Sequence, residues 1–142
     1  MRTSSCSFLI VVGAAIAGAT ASAQASGIPS GTYRTSLTRA ELSHRVKPAD
    51  ADSLIGAWSL TFDAAGHMTV LWKGQHVVEG IAQAKPGHRV YFDDKDTGQY
   101  ACHMPATYRY SVHGSQLTFR KVSDKCDGRA AVLTTHPLAK GS

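Results

Sequence analysis

Few residues in this chain are suited to chemistry. Glu79 is one of two glutamates, and in HVVEGIAQ, residues 76–83, it shares an alternating face with Val77 and Ile81. If that face is interior, the apolar surroundings raise its pKa and leave the acid form available for proton transfer, making it a candidate catalytic residue. The competing reading turns Glu79 outward at Gly80, to solvent or a nearby lysine, because carboxylates are seldom buried. Tyrosines offer a second kind of chemistry, since a buried phenol needs a hydrogen-bond partner and a ligand can serve. Tyr108 and Tyr110 alternate in YRYSV, and with Phe62 and Phe92 they form the candidate ligand-contact set.

Seven histidines raise the question of metal. His67, His76 and His88 stand at strand starts beside turns, while His44, His103, His113 and His136 are scattered, with no HxH or HExxH spacing. The neighbours His103 and Met104 are soft ligands, but two adjacent loop residues do not enclose an ion. No serine lies in a GxSxG elbow. No metal and no cofactor are therefore expected.

These residues must be positioned by a small domain. The chain opens MRTSSCSFLIVVGAAIAGATASAQA: a positive charge at Arg2, an apolar run from Phe8, then Ala21-Ser22-Ala23. That is the pattern of a secretory signal over residues 1–23, with cleavage before Gln24 and a secreted or periplasmic product. The run is too short and too rich in Gly and Ala to span about 30 Å of hydrocarbon, so an integral membrane protein is not expected. Removing 23 of the 142 residues leaves 119, the size of one domain, and takes the net charge from +5 to +4 because only Arg2 is lost. The basic residues are scattered singly without a concentrated Lys/Arg face, which argues against nucleic-acid binding.

Cleavage also leaves two cysteines, Cys102 and Cys126. In an oxidising compartment they are most simply a disulfide, stabilising the fold by roughly 3 kcal/mol. A metal or redox pair is the alternative, but there is no CxxC and only His103 adjoins as a ligand.

Residues 24–30 are small and polar and read as a flexible leader, followed by a single domain over residues 31–138. GTYRTSL alternates as a strand. TRAE has the capping-box form, starting a helix from Arg39 to about Arg45, and Pro48 permits a second helical turn. From Gly56 onward the chain reads as strands: WSLTF, MTVLW, HVVEGIAQ with a break or bulge at Gly80, HRVYF, YRYSV, LTFRKV and finally RAAVLTT from Arg129. About eight short strands with hairpin turns predict an all-β, up-and-down antiparallel barrel, whose closure removes exposed edges. The long polar connection is 93–105.

Gly56-Ala57-Trp58 at a strand start, after a short helical segment and with Arg129 opening the last strand, resembles the calycin superfamily of lipocalins and fatty-acid-binding proteins. The resemblance implies that Trp58 packs against Arg129 near the closed end and that the barrel encloses a cavity for a small apolar molecule. A guanidinium stacked on an indole would cover the barrel floor while keeping its charge near water. Without the resemblance, Trp58 reads as ordinary core. The order strand, helical pair, strands is nearer the fatty-acid-binding layout than the lipocalin one. A barrel this compact can also be filled by its own side chains. The function expected first is binding of a small hydrophobic or amphipathic molecule. The alternatives are a protein-interaction module, such as an inhibitor of an extracytoplasmic enzyme acting through residues 93–105, or a small barrel isomerase or cyclase using Glu79 or a tyrosine.

Overall fold

The computed structural model describes residues 27–142 apart from residue 97. The expected signal segment and residues 24–26 lie outside the described residues. Eight strands form one closed antiparallel barrel in sequence order: β1 (Gly31–Leu37), β2 (Gly56–Phe62), β3 (His67–Trp72), β4 (Gln75–Lys85), β5 (Arg89–Asp94), β6 (Ala106–His113), β7 (Gln116–Ser123) and β8 (Leu138–Lys140). Closure is made by β8, which pairs with β1 through Tyr33 and Arg34 and with β7 through Gln116 and Leu117.

Among the described residues three short helices decorate this barrel: α1 (Arg39–Leu42), α2 (Pro48–Ala51) and α3 (Asp127–Thr134). The capping box at α1 is complete, the Thr38 hydroxyl accepting from the Glu41 amide while the Glu41 carboxylate accepts from the Thr38 amide. Glu41 also meets His136 Nε2 at 2.6 Å, tying α1 to the segment before β8.

Three expectations from the sequence are corrected. RAAVLTT is helix α3 rather than the last strand, and Arg129 sits on that helix. Ala130, Ala131, Val132 and Leu133 are all buried, and a continuous apolar run has no period to separate helix from buried strand. Second, β4 runs unbroken through Gly80, while the irregularity in its pairing with β3 falls three residues earlier, where Val70 and Leu71 face Val78 and His76 and Val77 has no partner in the register. Gly80 is there for close approach: a Cβ would stand 2.7 Å from the Asp93 carbonyl oxygen. Third, residues 27–30 of the expected leader pack on the barrel, with Ile28 buried and the Gly27 and Pro29 carbonyls accepting from the Tyr110 and Tyr33 hydroxyls.

The interior is filled unevenly. Tyr33, Phe62, Phe92, Tyr108 and Phe119 form a chain of ring contacts with centroids 5.6–6.2 Å apart, closing much of the barrel with side chains. The remainder is a cavity.

Candidate functional site

The cavity measures about 320 Å³ and lies where α2, the connection after β5 and α3 meet the inward faces of β2 to β5. Alternation along each strand brings apolar residues to it: Leu60 from β2, Met68 and Val70 from β3, Val78 from β4 and Phe92 from β5. Its rim carries the exposed Lys47, Asp50, Gln99 and Asp127.

Trp58 stands on the wall because of what precedes it. Gly56 has φ +113°, a conformation that side chains other than hydrogen rarely adopt, and a Cβ there would stand 2.7 Å from Lys73 Cε. From that turn Trp58 enters the barrel and donates its indole N–H to the Leu54 carbonyl at 2.8 Å, while Trp72 donates to the Ile55 carbonyl at 3.1 Å. Tyr100 completes the group, its ring 6.1 Å from Trp58 and 5.5 Å from Trp72.

Arg129 belongs to a different constellation. Its Nε and Nη2 donate to Asp124 Oδ2 and Oδ1 at 2.8 and 2.9 Å, and Nη2 donates also to the Met104 carbonyl at 2.7 Å. Asp124 accepts in addition from the Tyr108 hydroxyl and the Cys126 amide. No cation–π contact joins Arg129 to Trp58 among the described residues; those contacts are made by Lys73, Lys85 and Lys140. Arg129 and Trp58 instead face the same cavity.

Asp94, at the end of β5, also lines the cavity. Its Oδ2 accepts from the Cys102 amide at 2.7 Å. Its Oδ1 is 3.3 Å from Arg129 Nη1, within ion-pairing range, yet the two atoms lack hydrogen-bond alignment and have no other partner. The side chains of Asp94 and Arg129 are only 2% and 8% exposed. Burial lifts the Asp94 carboxyl above its ordinary range, outweighing the Cys102 amide and the Arg129 charge. Burial pushes Asp124 the same way, but its bonds from Arg129, Tyr108 and Cys126 win and hold it low. Burial and the Asp124 bond together raise the Tyr108 phenol. The result is a largely apolar chamber with a buried ion pair, Asp94 with Arg129, packed at its edge.

The sequence-chosen residues divide accordingly. Phe92 lines the cavity; Phe62 and Tyr108 are buried beside it in the packed part of the interior, and Tyr110 bonds the Gly27 carbonyl instead. Glu79 lies on the outer face of β4, half exposed, accepting from the Thr69 hydroxyl at 3.1 Å and meeting His76 Nε2 at 2.9 Å, so it cannot act as an acid inside the barrel. Cys102 and Cys126 are bonded, their Cα atoms 6.1 Å apart, and both line the cavity. The bridge fixes the connection that carries Tyr100 to the foot of α3. Among the described residues no group of three or more His, Cys, Asp or Glu could hold a metal ion, and no helix is long and apolar enough to cross a membrane.

Asp94 and Asp124 are not among the residues that the sequence singles out. For Asp94 a signal existed, because the alternation that turns Val90 and Phe92 inward continues two residues further to Asp94. For Asp124, in the connection before α3, there was none. Compared with known proteins, the chain matches no family model, no curated protein and no solved structure.

Proposed function

We propose that this protein is a secreted or periplasmic binding barrel of calycin-like design that holds a small hydrophobic or amphipathic molecule. The observation that carries the reading is the largely apolar cavity of about 320 Å³, which has the buried Asp94 and Arg129 pair at its edge. That volume is at the small end of the usual range for ligand pockets, and a few polar groups in an apolar lining are what fix a ligand's orientation. The connection after β5 supports this reading over a free interaction loop, since Tyr100 and Cys102 wall the cavity and the Met104 carbonyl is held by Arg129.

The test is titration with N-phenyl-1-naphthylamine, a neutral apolar dye, following its emission and the quenching of tryptophan. Saturable one-to-one binding is expected, reduced at least tenfold by Val70→Phe, which places a ring in the cavity while circular dichroism reports the fold. Binding that does not saturate, or that ignores the substitution, rejects the reading. Native mass spectrometry of protein recovered outside the cytoplasm checks both retained ligand and the expected start at Gln24.

A further inference from the structure

The outer wall of the barrel carries a group of cations that takes no part in the cavity. Lys85, Arg89, Arg109 and Arg120 are scattered singly along the sequence, and strand register gathers them. Lys85 stands opposite Arg89 across β4 and β5, Arg89 opposite Arg109 across β5 and β6, and Arg109 opposite Arg120 across β6 and β7. All four are exposed, while their strand neighbours Val90, Tyr108 and Phe119 are buried, so the row faces outward. With strands about 4.8 Å apart, the row crosses four strands over about 14 Å.

No carboxylate answers it. The chain has ten, all among the described residues. Seven are paired elsewhere: Glu41, Asp63 and Glu79 with histidines, Asp52 with Arg39, Asp93 with Lys95, and Asp94 and Asp124 with Arg129. The other three are Asp50 on α2, Asp96 after β5, which accepts from the Glu79 amide, and Asp127 on α3, beside Arg45 and Lys121. Lys121 follows Arg120 but stands opposite Tyr108, so it belongs with Asp127 and not to the row. The contacts the row does make are local. Arg89 Nε donates to the Pro86 carbonyl, and the Lys85 ammonium lies 5.3 Å from the centre of the Tyr91 ring. Asp93 is the acid nearest to Arg89 along β5, four residues on, which is about 13 Å of strand. Like charges directly opposite on a sheet face destabilise it. Three such pairs in succession without a counter-charge weaken the barrel, and a bound polyanion would relieve them.

The geometry points to a docking strip for an acidic polysaccharide, a polyuronate in the simplest case. Its charge is complementary, and it carries one carboxylate per sugar ring, a repeat close to the strand spacing. The flanks of the row on the same outer face suit a hydroxylated chain, with Gln83, Tyr91 and Thr107 on one side and Ser111 and Thr118 on the other. An anionic membrane is the poorer fit, because these flanks hold no aliphatic side chain to insert among lipids. Single-stranded nucleic acid calls for stacked aromatic faces, and the strip has Tyr91 alone, with Lys85 over its ring. None of the four cations lines the cavity, so the inference does not depend on what the cavity holds.

Fluorescein-labelled polygalacturonate, followed by anisotropy at pH 7, is the probe. Saturable binding is expected at 50 mM salt, weakening about tenfold or more by 200 mM as counterions return to about four contacts. Labelled dextran, a neutral chain, should not bind. Arg109→Glu should weaken binding about tenfold or more without lowering the melting temperature, because the same change relieves two like-charge pairs. Arg34→Glu makes the same charge change at an exposed residue of β1, which pairs with β2 and β8, and should alter binding by less than about twofold. Absence of binding, equal losses in the two variants, or a DNA duplex or phosphatidylglycerol vesicles binding as tightly as polygalacturonate overturns the inference. Should Arg109→Glu not fold, Arg89→Gln combined with Arg120→Gln removes two of the four charges and adds none, and the same loss is required of it.

Discussion

Replacing Arg129 by Met tests the account of the buried cluster most directly. The substitution keeps much of the aliphatic bulk and removes a guanidinium that makes two hydrogen bonds to the Asp124 carboxylate and one to the Met104 carbonyl, and that ion-pairs with the almost fully buried side chains of both Asp94 and Asp124. Asp124, fully buried, and Asp94 would then face each other uncompensated. Removing one partner of a buried ion pair costs about 3–5 kcal/mol, mostly because the other charge stays behind. A domain of this size changes its melting temperature by about 4 °C per kcal/mol, so the expected loss at pH 7 is about 12–20 °C. Acidification should narrow the gap. In the native protein the Asp124 carboxyl is held low by its partners, so its contribution is present above the unfolded pKa and lost as pH falls through the folded value. Without Arg129 both carboxyls rise above their unfolded values, and the penalty they impose is relieved as pH falls through the raised values. Thermal unfolding at pH 7 and near pH 4, followed by circular dichroism, measures both effects. An Arg129 that acted by stacking on Trp58 would show a cost independent of pH over this window. A loss below about 1 kcal/mol at pH 7, or a gap that widens in acid, refutes the reasoning.

Other perturbations probe the elements around the cluster. Reducing the bridge, or replacing Cys102 and Cys126 by Ser, should cost about 3.5 kcal/mol for a loop of this length, measured by urea unfolding, and should weaken dye binding because Tyr100 is carried on the released connection. Gly80→Ala should destabilise by about 1–3 kcal/mol in the same assay, because the new methyl meets the Asp93 carbonyl oxygen rather than a movable side chain. Arg109 lies opposite both Arg89 and Arg120 across β5, β6 and β7, all three exposed. Arg109→Glu turns two like-charge pairs into two opposite-charge pairs and should therefore stabilise the barrel by about 0.5–2 kcal/mol at low salt, with the gain shrinking at 0.5 M salt. A variant less stable than the native chain at low salt contradicts this.

The barrel was legible in the sequence because hairpin strands repeat one local instruction. Tyr33, Leu60, Phe62, Val90, Phe92 and Leu117 follow period two between Gly-bearing turns, and all are buried. The closing element was not legible, since three residues of β8 carry no periodic signal and the apolar run before them was compatible with either helix or strand. The Trp58 and Arg129 pair shows a different limit. Both residues line the same chamber, but the stacking of Arg129 on Trp58 that the resemblance implied is absent among the described residues, and which groups satisfy the guanidinium depends on Asp94 and Asp124, separated from each other by thirty positions.

The carboxylate inside the barrel illustrates why. The sequence offers Glu79, between Val77 and Ile81, as the candidate, and the rarity of buried carboxylates favours turning it outward, where it is found. Both faces of β4 are apolar, however, with Val78 and Ala82 on the other side, so alternation alone could not say which face turns inward. Register decides it: Gly80 pairs with Met68 and with Asp94, and Ala82 with Phe92, which sets the Val78, Gly80 and Ala82 face inside and Glu79 outside. On β5 the same inward row runs Val90, Phe92, Asp94, and its last member is the acid in the cavity. A strand that ends on an inward carboxylate must meet a partner supplied from elsewhere, and here that partner, Arg129, is already committed to Asp124. The buried pairing of Asp94 with a guanidinium it shares with Asp124 is thus a consequence of how the barrel closes.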